Sequence, residues 1–269
     1  MRRFLGCCLL VLGVSVPALG EESVALAGDP FASPYVYQNT GRGPRQSFTV
    51  QYEVGYGTRE SRNFAQQGVE QGLRLRYQPL DFLGVEAFGG IVIDASRGGM
   101  RGQAAAVEVI ARALRQDRHH LNLDLGLGYI YDYRSDHIPR IRLTLGRAFG
   151  ALDLSLSGLL EVPVGSAGRD EVDVMTSLAV SYGVLPSLRV GLEVAGEDLE
   201  GIFEEEEAEG GAKILFGPTL AWTLPQGFFV KLNTSAVRAF LGNQRFASGE
   251  DRPAAWGFMG RLALGWTWQ

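Results

Sequence analysis

Ionisable side chains keep to one alternating parity along much of the chain, shared with small and polar residues, and any chemistry has to be sought in that spacing. One parity of successive segments collects Glu53, Glu70, Arg74, Arg76, Glu86, Glu108, Arg112, Asp124, Asp132, Arg140, Arg142, Glu161, Arg189, Glu193, Lys213, Lys231 and Arg261. Both signs are interspersed. Charges gathered on one face can pair with one another and fill an interior, because a buried charge without a partner is costly. They can also line a passage and select what crosses it. A single-sign set would point to an ion-selective pore, whereas this mixture keeps both uses open. The candidates for a lumen-lining, solute-contacting wall are Arg74, Arg76, Glu86, Glu108, Arg112, Asp124, Arg142, Glu161, Glu193, Lys213, Lys231 and Arg261. Of these, Glu86, Glu108, Arg112, Asp124, Arg142 and Glu193 are expected near mid-height.

Catalytic and metal chemistry find little purchase. The histidines are His119, His120 and His137. His119 and His120 fall in a short connection, and Asp136-His137 is an adjacent pair in a longer one. Neighbours along a strand point to opposite faces, so adjacency does not build an acid–His dyad. The chain has no His-x-Ser pair, nucleophile elbow, phosphate-binding loop or dinucleotide fingerprint. No catalytic residue and no cofactor is expected, and the protein reads as a non-enzyme. The stretch 196–211 holds Glu197, Asp198, Glu200, Glu204, Glu205, Glu206, Glu207 and Glu209. Carboxylates suit Ca²⁺ or Mg²⁺. This run lacks the alternating Asp/Asn and Gly spacing of a calcium loop, so it reads as a solvated loop with no metal site.

The elements that must position the charged parity are strands. Phe48, Val50, Tyr52, Val54 and Tyr56 alternate with Ser47, Thr49, Gln51, Glu53 and Gly55. Leu121, Leu123, Leu125, Leu127, Tyr129, Tyr131 and Tyr133 alternate with Asn122, Asp124, Gly126, Gly128 and Asp132. Twelve such segments follow one another, at about 46–57, 68–78, 83–94, 103–114, 121–133, 140–149, 152–164, 172–184, 188–195, 212–224, 228–238 and 254–268. Most have about the 9–11 residues a tilted strand needs to cross a bilayer. Short and long connections alternate strictly, which makes every neighbour a hairpin partner and puts both ends of an even-stranded sheet on the short-turn side. The expected fold is all-β, a 12-stranded antiparallel up-and-down transmembrane barrel over 46–268, with 10 or 14 strands as alternative counts. The Ala-rich 103–114 stretch could form a short helix. Dropping it would leave an odd strand count with the termini on opposite sides, so it is kept as a strand.

Alternation does not say which face is inside. A soluble barrel hides its apolar face, and a membrane barrel shows it to lipid. Three features favour the second. Aromatic residues of the apolar parity sit near strand ends: Phe48, Tyr77, Phe149, Tyr182, Trp222, Phe228, Trp266 and Trp268 on the turn side, and Tyr56, Tyr131, Tyr133, Trp256 and Phe258 on the loop side. The middles of the apolar faces are aliphatic, as in Leu152, Leu154, Leu156, Leu160 and Val162. The polar parity mixes its charges with small residues such as Gly126, Gly128, Ser155, Ser157 and Ala179, which suit a crowded concave wall.

Residues 1–20 read as an export signal: Met1-Arg2-Arg3, an apolar run from Phe4 to Val16, and small residues at Ala18 and Gly20 before a cut ahead of Glu21. The cut removes Cys7 and Cys8, which leaves no disulfide and no thiolate metal site. Residues 21–45 form a periplasmic N-terminal segment, either a loose tail or a plug entering the lumen with Phe31, Tyr35 and Tyr37 as contacts. The net charge of −5 argues against nucleic acid as a partner, since phosphate contact needs a basic surface.

The last segment, with Trp256, Phe258, Leu262, Leu264, Trp266 and Trp268, resembles the terminal strand that the outer-membrane barrel assembly machinery reads. Over about 46–268 the chain resembles bacterial outer-membrane β-barrel proteins, and it is similar to small porin-like families such as the phenol-degradation outer-membrane transport family. The resemblance implies an outer-membrane location with outer-membrane lipid as a partner, and a passive channel or transporter for a small solute. The competing expectation is a closed structural or surface-interaction barrel that carries no transport.

Overall fold

The computed structural model describes residues 45–57, 68–94, 99–132, 137–164, 172–197, 212–240 and 256–269. The expected export signal, residues 21–44 of the tail or plug, Tyr133, Asp136 and the acidic run after Glu197 lie outside the described residues.

Twelve strands form one closed antiparallel sheet: β1 (Ser47–Gly57), β2 (Gly68–Leu80), β3 (Leu83–Asp94), β4 (Gly99–Leu114), β5 (Asn122–Asp132), β6 (His137–Phe149), β7 (Leu152–Glu161), β8 (Asp173–Leu185), β9 (Leu188–Glu197), β10 (Lys213–Thr223), β11 (Phe228–Ala239) and β12 (Trp256–Trp268). Each strand pairs with its sequence neighbours, and β1 closes on β12 in a register that sets Phe48 opposite Trp268 and Val54 opposite Leu262. Closure removes the unpaired strand edge, which matters most where no water can satisfy it. The expected count of twelve is the observed one. The Ala-rich segment is a 16-residue strand, the longest of the set. Pairing on both sides overrides the helix preference of Ala104, Ala105, Ala106 and Ala111, because the same stretch alternates Val107 and Val109 with Glu108 and Ile110.

The short turns have their own chemistry. Between β4 and β5 the chain makes a single helical turn, α1 (Gln116–His119), closed by His120 in the left-handed region at φ 63°. Gln116 fixes it by donating to the Ala148 carbonyl (2.7 Å) and accepting from the Ala148 amide (2.8 Å). Arg115 grips Asp117 through two hydrogen bonds of 3.1 and 2.9 Å, which hold that carboxyl below the usual carboxylate range. Between β10 and β11, a 3₁₀ turn (Pro225–Gly227) places Gly227 at φ 84°, where a Cβ would come within 2.3 Å of the Thr267 carbonyl oxygen. Glycine is what lets this turn lie against the last strand.

The barrel is inverted relative to a soluble one. Leu127 is 65% exposed and Leu192 58%, while Glu108 and Glu193, on the other face of the same sheet, are 1% and 0% exposed. Apolar residues outward and charges inward are stable only against hydrocarbon, so this is a transmembrane barrel. Both aromatic girdles are in place. On the turn rim Phe228 stacks on Trp266 at 4.8 Å, Trp266 lies 4.3 Å from Trp268, and Trp268 lies 5.8 Å from Phe48. On the loop rim Tyr56, Tyr131, Trp256 and Phe258 are exposed.

Candidate lumen site

The lumen wall is built in two halves. Along β1–β7 it is charged, and its charges are sorted into pairs. Arg74 on β2 donates to Glu53 on β1 (2.7 Å) and to Glu86 on β3. Glu86 also takes Arg76, its direct cross-strand partner, with one contact at 3.1 Å. Glu108 on β4 takes Arg142 through bonds of 2.7 and 3.1 Å, and Arg140 as well. Both arginines stand on β6, one strand beyond the adjacent β5. They can reach because β5 presents Gly126 and Gly128 at that height. A Cβ on Gly126 would sit 2.3 Å from Glu108 Oε1, and one on Gly128 would sit 2.8 Å from Arg140 Nε. Glu161 on β7 lies 3.9 Å from Arg140. Alternating charge thus runs from Glu53 to Arg76 and again from Glu108 to Glu161, and its innermost carboxylates, Glu86 and Glu108, are nine-tenths buried or more.

The rest of the wall, from the turn-side parts of β6 and β7 round to β11, is rich in hydroxyls, with one amide: Thr144, Ser155, Ser157, Ser177, Ser181, Thr219, Asn233 and Ser235, all buried. Thr144 and Ser157 are joined at 3.1 Å, and Ser235 donates to Asn233 Oδ1 at 2.8 Å. Arg189 joins this wall through the Ala151 carbonyl and the Ser181 hydroxyl, both at 3.2 Å.

The remaining candidates divide between these settings. Arg112 pairs with Asp124 at 3.1 Å, directly across β4 and β5. That pair sits close to the short turn rather than at mid-height, since β5 begins at Asn122. Arg261 on β12 donates to Glu70 on β2 at 2.8 Å, over the Cβ-less Gly55 of β1. Glu193, Lys213 and Lys231 lie on β9, β10 and β11. Glu193 is fully buried, Lys231 lies 5.6 Å from the Phe229 ring, and Lys213 stands at the loop end of β10.

Some lumen residues were missed by looking for charge alone. Phe88 and Phe229 point inward, the first beneath the Arg74 guanidinium at 4.8 Å. Ala195, Leu215, Val237 and Met259 form a buried apolar patch on the lumen wall of β9–β12 near the loop end. All share parity with a charged neighbour, such as Phe88 with Glu86 and Val237 with Lys231, and that parity was the available signal. A small cavity of about 10 Å³, the room of roughly one water, lies between Glu53, Glu70, Phe88 and Arg261.

The histidines stand away from this wall. His119 and His120 are in and beside α1. His137 opens β6 on the lipid side, bonded through Nδ1 to the Tyr129 hydroxyl and 5.6 Å from the Tyr131 ring. Among the described residues no group of His, Cys, Asp and Glu side chains is placed to hold a metal ion.

No protein-family model matches the chain, and no curated protein matches it in sequence. Solved structures do match in shape. A structure of KdgM porin superposes with a TM-score of 0.55 at 8% identity, covering 82% of this chain and 99% of that one. A structure described as KdgM porin in complex with disordered oligogalacturonate gives 0.55 at 9%, over 82% and 99%. NanC porin gives 0.56 at 9%, over 81% and 98%. At such identities the likeness establishes the barrel architecture.

Proposed function

Starting from a transmembrane barrel that shares the architecture of solved porin structures, we propose that the protein resides in the outer membrane and provides a narrow passive path for a small polar solute. Its lumen carries the residues of such a path and no catalytic step is part of the reading. The observation that carries it is the pairing of the charged half-wall: Arg74, Arg76, Arg112, Arg140, Arg142 and Arg261 each meet a carboxylate. A wall of matched charge opposite a wall of hydroxyls gives little net field to sort ions by sign, and it offers donors and acceptors to a hydroxyl- or amide-bearing solute. An acidic solute would have to compete with the carboxylates that already hold the arginines. Similarity to the phenol-degradation outer-membrane transport family belongs to this reading on barrel size and pattern. So does recognition of β12, ending in Trp266 and Trp268, by the barrel assembly machinery.

A second reading, a closed structural or surface-interaction barrel, is favoured by the depth at which Glu108 and Glu193 are buried, since a wide aqueous channel would wet its wall. Single-channel recording of the full chain in a planar bilayer separates the two. The path gives small, weakly ion-selective conductance that turns anion-selective on Glu108→Gln, while a folded but silent barrel supports the closed reading.

A further inference from the structure

The outward face of the described strands is almost free of charge. Its described acidic side chains number none, and its described arginine side chains are two: Arg147 near the turn end of β6 and Arg238 at the loop end of β11. Neither makes an ion pair among the described residues. Each is held by aromatic rings instead. Arg147 lies 4.5 Å over Phe149. Arg238 lies 5.0 Å over Trp256 and 5.7 Å over Phe240, and Trp256 in turn packs edge-on against Phe216 at 6.4 Å. The contrast with the lumen is chemical: there a carboxylate meets most guanidiniums, and here two ring faces support one and, among the described residues, no side chain claims its hydrogen-bonding edge. A guanidinium stacked on rings at headgroup depth keeps its forked donors for a tetrahedral oxyanion.

We propose that Arg238, with Trp256 and Phe240, is a docking site for a phosphate of the phosphorylated glycolipid in the outer leaflet, whose acyl chains would lie along the exposed Phe216 and Phe258. The choice of leaflet rests on the outer-membrane reading above, in which the long-loop end faces outward. The rings supply the apolar contact and the guanidinium supplies charge complementarity.

The test uses the full chain refolded in neutral detergent, with folding followed by heat-modifiable gel mobility and lipid retention followed by native mass spectrometry. The probes are bis-phosphorylated lipid A, its dephosphorylated form and phosphatidylglycerol. The wild type is expected to retain bis-phosphorylated lipid A over the other two. Arg238→Gln should lower that retention about five- to tenfold, as loss of one charge-assisted contact implies, with Arg238→Lys recovering part of it. Arg147→Gln, on the other rim, should leave it unchanged. Equal retention by the wild type and folded Arg238→Gln would overturn the site. Phosphatidylglycerol retained as well as lipid A, in an Arg238-dependent way, would overturn the glycolipid as occupant. Failure of the outer-membrane reading shows separately, as recovery of the protein outside the outer-membrane fraction of expressing cells.

Discussion

Glu86 and Glu108 stand directly opposite each other on β3 and β4, two carboxylates at a register position where like charges repel. The fold makes this tenable by bringing two arginines to each, Arg74 and Arg76 to Glu86 and Arg140 and Arg142 to Glu108. Each acid is thus held from its own side of the sheet, Glu86 by the neighbouring β2 and Glu108 by β6 across β5. Glu108→Gln leaves Arg140 and Arg142 short of their shared anion. The expected cost is about 3–5 kcal/mol in denaturant unfolding from phospholipid vesicles. Adding Arg142→Met to Glu108→Gln should recover part of it. An unchanged unfolding midpoint in the single variant would mean the network adds nothing to stability.

The reach of β6 across β5 depends on an absent side chain. Gly126→Ala would place a methyl 2.3 Å from Glu108 Oε1 and 3.0 Å from Arg142 Cβ, between the two members of a buried pair. Destabilisation of about 1–3 kcal/mol is expected by the same unfolding assay. Gly158→Ala is the internal control: its added methyl meets nothing within 4 Å, and the effect should stay within about 0.5 kcal/mol.

Gly227 combines two constraints. Its φ of 84° disfavours any L side chain, and a Cβ there would meet the backbone carbonyl of Thr267 at 2.3 Å. Gly227→Ala is therefore expected to cost about 2 kcal/mol or more and to lower refolding yield into vesicles. Gly150→Ala has a similar φ of 60° but open space around the new methyl, so only the conformational cost of about 1 kcal/mol should appear.

These contrasts mark what the sequence can and cannot disclose. Parity is a local property, so the strands, their number and the inversion were all readable from runs such as Leu152, Leu154 and Leu156 against Asp153, Ser155 and Ser157. The Ala-rich β4 was recoverable because an odd strand count would have parted the termini. Pairing is not local. That Glu108 meets Arg140 and Arg142 depends on the register of three strands and on two glycines that look, in sequence, like any small lumen residues. The α1 turn was read as a plain short connection, because its stabilising contact is Gln116 to Ala148, 32 positions away. His137 was placed in a loop; it opens β6 on the lipid side, a boundary that the Pro139 two residues later obscured.

Site-directed quenching reads directly which face of the sheet meets hydrocarbon. Single cysteines placed by Leu154→Cys, Leu156→Cys, Ser155→Cys and Ser157→Cys, in a chain with Cys7 and Cys8 replaced by serine, would each carry a fluorophore in vesicles containing nitroxide-labelled acyl chains. Leu154 and Leu156 are exposed, whereas Ser155 and Ser157 are buried. The expected result is strong quenching at 154 and 156 and little at 155 and 157. Quenching of the serine positions with the leucine positions spared, or no alternation at all, would contradict it.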